Sequence, residues 1–111
     1  AFLTAYKDRF DTYPRLGSVV GYSTIKSIAA GIEKAGSTDT DALIAAFEGL
    51  QVTTPFGEIT YRASDHQSTM GAFVGNLDLV DGTGQMVDFT YVAGDTGLPS
   101  PEEAAARRPA D

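Results

Sequence analysis

The sequence contains no cysteine and no tryptophan, a single histidine, and only eight lysines and arginines among 111 residues. Without cysteine there can be neither a disulfide framework nor a thiolate metal site. An oxidising compartment stays open, because disulfides chiefly stabilise domains too small to build a core. With His66 alone, no pair of imidazoles stands at ligand spacing, so neither a metal nor another cofactor is expected. The shortage of basic residues leaves a net charge of −7 and a pI near 4.4, which argues against binding nucleic acid, since that needs clustered Lys and Arg. No apolar run approaches the roughly 18 residues of a membrane-crossing helix. Gly57, Gly71, Gly75, Gly82 and Gly84 lack both the GxGxxG spacing and a following Lys-Ser/Thr, so they read as turn and bulge glycines and not as a phosphate cradle.

What is present suits a folded piece: 42% of the residues are apolar and 10% aromatic. The acidity is uneven, with −6 of the −7 falling in residues 51–111, and reads as a solvated surface. The opening Ala1-Phe2-Leu3-Thr4-Ala5-Tyr6 has neither the initiator Met nor the basic and then apolar stretches of an export signal.

Phe2, Leu3, Tyr6 and Phe10 recur at helical spacing in a short helix that Pro14 must stop. Between Ser18 and Ala35, Val20, Ile25, Ile28, Ala29 and Ile32 form an apolar stripe, predicting a long helix that buries it, with Gly36 at the C-terminal cap. Ser37 to Asp41 offers several N-caps for a third helix, which carries Leu43, Ile44, Phe47 and Leu50 and ends near Gly49. Pro55-Phe56-Gly57 reads as a turn before one strand, Glu58 to Arg62. Two extended runs, Met70 to Val80 and Gln85 to Val92, flank Asp81-Gly82-Thr83-Gly84 as a hairpin. Ser100-Pro101-Glu102-Glu103 has the N-cap Ser, first-turn Pro and third-position Glu that start a short final helix ending before Pro109. One strand and one hairpin lie near the lower limit of independent sheet stability, and three leading helices need a surface to cover. The chain is therefore expected to be part of a larger protein. Should it stand alone, its exposed sheet edges predict a homodimer or strand exchange.

Gly21-Tyr22-Ser23-Thr24 opening a helix that ends Ile32-Glu33-Lys34-Ala35-Gly36-Ser37-Thr38-Asp39, followed by Thr54-Pro55-Phe56-Gly57-Glu58-Ile59-Thr60-Tyr61-Arg62 and then Asp65-His66-Gln67, resembles the C-terminal region of type I periplasmic solute-binding proteins of the branched-chain amino-acid ABC transporter family. The resemblance implies an α/β fold of two lobes joined by three crossover strands. It places residues 1–62 in the first lobe as late helices and a strand, residues 63–69 in a hinge crossover, and residues 70–111 in the second lobe as a hairpin and terminal helix. It further implies a non-enzymatic, extracytoplasmic component of an importer, whose lobes close on an amino acid or related small carboxylate and which then docks on an ABC permease in the membrane. A ligand-sensing receptor or regulator on the same fold is the alternative.

Within that frame Ser18, Gly21 and Tyr22 are the ligand-binding candidates. Small residues and a hydroxyl at a helix N-terminus can offer free N–H groups and an aromatic wall to a solute, although Tyr22 can equally serve only to pack the helix start. The bulky aromatic that faces the ligand just before this helix in the family has no counterpart at Gly17. Asp65, His66 and Gln67 are candidates for the hinge or cleft. An Asp beside a His invites an acid–base or hydrolase reading, but neighbours on extended chain point to opposite faces, so Asp65 is poorly placed to orient the ring. Phe89 and Tyr91 share a strand face and read as packing residues, and Arg107 and Arg108 as a solvated complement to the last helix dipole.

Overall fold

The computed structural model describes residues 1–109, which form four α-helices, four strands and a single 3₁₀ turn. Helix α1 (Phe2–Phe10) stops at Asp11, which takes left-handed geometry three residues ahead of Pro14. Helix α2 (Leu16–Ala35) starts one residue after Pro14-Arg15, where proline geometry permits a helix to begin, and ends on Gly36 at φ 61°, with the Gly36 N–H donating to the Ile32 carbonyl. Helix α3 (Thr40–Phe47) is capped by Asp39, whose carboxylate accepts from the Asp41 and Ala42 amides.

Two expectations fail in the middle of the chain. Gln51–Thr54 is a strand, β1, which pairs antiparallel with β2 (Gly57–Thr60) across the Pro55-Phe56 turn, so the single strand expected there is a hairpin. Its alternation, with Val52 and Thr54 in and Gln51 and Thr53 out, is hidden in the sequence because polar threonine occupies an inward position. The Thr54 hydroxyl is satisfied locally, donating to the Gly57 carbonyl and accepting from the Phe56 amide. Helix α3 correspondingly ends at Phe47, two residues early, and Leu50 joins Val52 and Ile59 in the small buried core instead of extending the helix.

The second failure concerns which face of α2 is buried. The stripe of Val20, Ile25, Ile28 and Ile32 lies outward, with Ile25 66% exposed. The buried residues are Ser23, Ser27 and Gly31, four apart, so that a line of small side chains faces α3 and β1. The Ser23 and Ser27 hydroxyls donate to the carbonyls of Val19 and Ser23, which lets them be buried without an orphaned polar atom. At Gly31 the Phe47 ring of α3 fills the place a Cβ would need. Phe47 in turn meets Tyr61 edge-on at 5.2 Å, and both rings close over the core.

The second hairpin, β3 (Ala72–Val80) and β4 (Thr83–Val92), turns on Asp81-Gly82, both at positive φ as a type I′ turn requires. A bulge opposite Gly75 places Asp88 at φ 48°. Phe73 packs against Phe89 and Tyr91, as the shared strand face predicts, and reaches Phe56 of the first hairpin at 6.0 Å. Otherwise most side chains on both faces of this hairpin are exposed. The chain returns through the 3₁₀ turn Gly94–Thr96 to α4 (Pro101–Ala106), whose Ser100 and Glu103 form the capping box the sequence announces.

The hairpin joins the rest where two backbones cross. Thr69 donates its amide to the Thr60 carbonyl, its hydroxyl accepts from the Thr60 amide, and its own carbonyl accepts from Gly94. A side chain at Gly71 would collide with the Val92 carbonyl, and one at Gly94 with the Met70 carbonyl. Because the obstacle in both cases is backbone, Gly94→Ala is expected to lower stability by about 1–3 kcal/mol, and Ile59→Ala in the core by about 2–5 kcal/mol. Urea unfolding of the longest form of the protein checks both.

Candidate functional site

Tyr22 sits two turns into α2, where its ring packs at a tilt against Phe2 of α1 at 4.7 Å; Tyr6 follows Phe2 at 5.8 Å and Phe10 follows Tyr6 at 4.6 Å. These rings, with Ala5 and the Arg9 side chain, line an open groove between α1 and α2. Ser18 donates its hydroxyl to the Tyr6 hydroxyl at 3.1 Å and thereby fixes one wall of it. Ser18 and Tyr22 thus come together on one side of α2. Gly21 does not offer a free amide, because the helix begins at Leu16 and Gly21 lies beyond the first four residues, whose N–H groups lack helical partners. The segment leading into α2 is an irregular link from α1, not a strand.

Asp65, His66 and Gln67 lie away from that groove, and the backbone there is not extended, contrary to expectation. Residues 63–65 turn, Tyr61 and Ser68 form an isolated antiparallel bridge, and His66 takes φ 59°, its amide donating to the Arg62 carbonyl at 2.8 Å. The turn is held by charge. Arg62 Nε donates to Asp65 Oδ1 at 3.1 Å and Arg62 Nη2 to Asp65 Oδ2, while Oδ1 also accepts from the Gln67 amide. This pairs Asp65 with Arg62 and not with His66. The His66 ring makes no hydrogen bond among the described residues and instead borders an apolar pocket of about 350 Å³ with Leu43, Ile44, Phe47 and Tyr61. Among the described residues no carboxylate or serine hydroxyl is bonded to it, and the neighbouring Asp65 carboxylate is turned to Arg62. No cluster of three metal-ligating side chains exists among the described residues.

A profile of the periplasmic binding protein family matches residues 1–85. The chain belongs to the periplasmic binding protein family. Its fold is similar to an ABC-type branched-chain amino acid transporter protein of Rhodopseudomonas palustris, with 28% identity and a TM-score of 0.70 over 80% of this chain and 25% of that one. A second ABC transporter protein of the same organism is 32% identical at a TM-score of 0.59, covering 69% of this chain and 23% of that one. A solute-binding protein of an ABC transporter from the same organism, solved with 3,4-dihydroxybenzoic acid, gives 26% identity and a TM-score of 0.74 over 92% of this chain and 28% of that one. This chain therefore spans about a quarter of the length of the structures it matches. No curated protein sequence matches it significantly. The helices and antiparallel strand pairs are those of an α/β portion of a type I periplasmic binding protein.

In this periplasmic binding protein segment the residues that sequence reasoning missed are Tyr6 and Phe2, which complete the Tyr22 cluster, and Arg62, which organises the turn. The i, i+3 spacing of Arg62 and Asp65 was the available signal, but an Arg near the end of a strand carries no mark of its partner. Arg62 also donates Nη1 to the Pro99 carbonyl at 2.7 Å, and Arg108 donates to the Ser64 carbonyl at 3.3 Å. Arg108 is thus engaged and not simply solvated. The hydrogen bonds from Arg62, helped by the Gln67 amide and the nearby charges of Arg62 and Arg108, hold the Asp65 carboxyl below the usual range, and Asp65 raises the Arg62 pKa in return. A depressed carboxylate contributes stability that is present above its unfolded pKa of about 3.9 and is lost as pH falls through the lower folded value. Asp65→Asn should therefore melt below wild type near neutral pH, by a modest amount because solvent screens the pair. That gap should narrow on acidification below about pH 4, as read by calorimetric Tm at each pH.

Proposed function

We propose that the protein carrying this chain is the extracytoplasmic, periplasmic solute-binding component of an ABC importer, which binds a small carboxylate by lobe closure and presents it to a membrane permease without catalysing a reaction. The likeness of 92% of the chain to a solute-binding protein holding 3,4-dihydroxybenzoic acid carries the reading. It widens the expected solute from amino acids to aromatic acids. In this reading residues 1–62 finish the first lobe, residues 63–69 are a hinge crossover, and residues 70–111 contribute a hairpin and helix to the second.

The physical requirement is a solute that touches both lobes, since only differential affinity for the closed form drives closure. Ser18, Gly21 and Tyr22 border the cleft here, with the Tyr22 ring as wall and the Ser18 and Tyr6 hydroxyls as polar partners; Asp65, His66 and Gln67 belong to the hinge. The outward isoleucines of α2 and the bare faces of β3 and β4 fit surfaces covered by the other segments of a two-lobed protein, since contiguous apolar patches of this kind seldom stay exposed. Produced by itself, the 111-residue chain would pair its open sheet edges with a second copy, and its mass by light scattering should rise with concentration.

Isothermal titration of the longest form of the protein with leucine, 3,4-dihydroxybenzoate and 4-hydroxybenzoate should show binding to one class. Tyr22→Ala should weaken that binding by about tenfold, or about 1.4 kcal/mol, and Tyr22→Phe by less. Silence from every class removes the import reading, and an unchanged Kd in Tyr22→Ala removes Tyr22 from the cleft.

A further inference from the structure

Two stretches of chain, residues 62–71 outward and 93–99 back, link the β3–β4 hairpin and α4 to the helical part, and one guanidinium touches both. Arg62 leaves the end of β2, holds the Asp65 carboxylate by two of its nitrogens, and spends the third on the Pro99 carbonyl, the residue next to the Ser100 cap of α4. The arrangement is largely shielded: the Arg62 side chain is 20% exposed and that of Asp65 5%. Arg108, just past the C-terminus of α4, adds a contact to Ser64 inside the same turn. Both ends of the last helix are thus fastened to residues 62–65, whereas among the described residues the backbone of α4 does not run closely alongside any other helix or strand. The planar guanidinium makes two parallel bonds to the carboxylate and a third to the carbonyl, a bidentate geometry that a single ammonium cannot reproduce.

We propose that Arg62 is the positioning residue of this junction, a clasp that makes α4 move with the crossover turn, so that the outgoing and returning stretches pivot together about Thr69. The idea goes beyond the import reading and draws on it only for the consequence: if residues 63–69 are the hinge, the clasp sets how freely the lobes open, and solute affinity depends on it. Without the clasp, the hydrogen bonds that tie the returning segment to residues 62–69 among the described residues are Gly94 to Thr69 and Arg108 to Ser64.

Hydrogen exchange of the solute-free, longest form of the protein tests the clasp directly. In Arg62→Ala and in Asp65→Asn, the amides of Gly97, Ala104 and Arg107, each bonded within the returning segment, should exchange at least tenfold faster, while those of Val52 and Ile59 in the first hairpin stay as in wild type. The double variant should be no faster than the faster single, because both remove one coupled contact. Arg62→Lys should behave as Arg62→Ala. Arg108→Ala, a milder change at the surface, should raise exchange of the same amides to a smaller degree. Unchanged protection in the returning segment, uniform loss that includes Val52 and Ile59, or full rescue by lysine would each overturn the proposal. Calorimetry with 3,4-dihydroxybenzoate and leucine separates the two ideas. If wild type binds neither, the import reading loses support while the exchange result still decides the clasp. If wild type binds one of them, Arg62→Ala should bind it at least threefold more weakly, and an equal Kd overturns the link to closure.

Discussion

The close passage of two backbones at Gly71 and Gly94 governs how residues 72–109 are placed. Thr69 sits at that crossing and bonds in two directions, to the end of the first hairpin through Thr60 and to the returning chain through Gly94. Only residues without a Cβ can occupy the two facing positions, since carbonyl oxygens stand where the side chains would be. A long hairpin with most of both faces bare is thereby held at a defined angle by a handful of polar contacts, with Phe56 and Phe73 as its apolar link to the first hairpin. Such an attachment is narrow, and narrow attachments are where a fold can bend.

The helical side of the molecule shows the complementary property. Small residues of α2 let α3 come close enough for Phe47 to lie over Gly31, while the isoleucines point outward. The buried apolar side chains are few, namely Ala46, Leu50, Val52 and Ile59 among the described residues. A helix with one face closed by small side chains and another left apolar is a helix between two layers. This agrees with a chain that spans about a quarter of the length of its structural relatives, since helices of α/β folds pack against sheets.

Local chemistry was legible wherever it had a local cause. An N-cap within Ser37 to Asp41, filled by Asp39, the Gly36 stop, the turn at Asp81-Gly82 and the Ser100–Glu103 box each act within four residues, and all four are found. The strand β1 was not legible, since Gln51-Val52-Thr53-Thr54 carries a single large apolar residue and its inward threonine is satisfied by the turn that follows. The orientation of α2 was misread for a different reason: hydrophobic periodicity reports the face that needs cover, and here that cover is not supplied by the chain's own elements. Around His66 the neighbouring Asp suggested a dyad, yet the carboxylate belongs to Arg62, and the positive φ of His66 follows from the turn that this ion pair closes. Ser18 and Tyr22 were found to share one surface, but the aromatic partners that give the surface its character, Phe2 and Tyr6, came from a different helix and carried no sequence mark of their place.

If this chain is a segment of a closing, two-lobed binding protein as proposed, the whole molecule contracts when solute bridges the lobes, which a rigid scaffold does not. Small-angle X-ray scattering of the longest form of the protein, with and without the solute that titration identifies, measures this directly. A smaller radius of gyration in the bound state is the predicted result, and identical scattering curves at saturating solute would contradict the account.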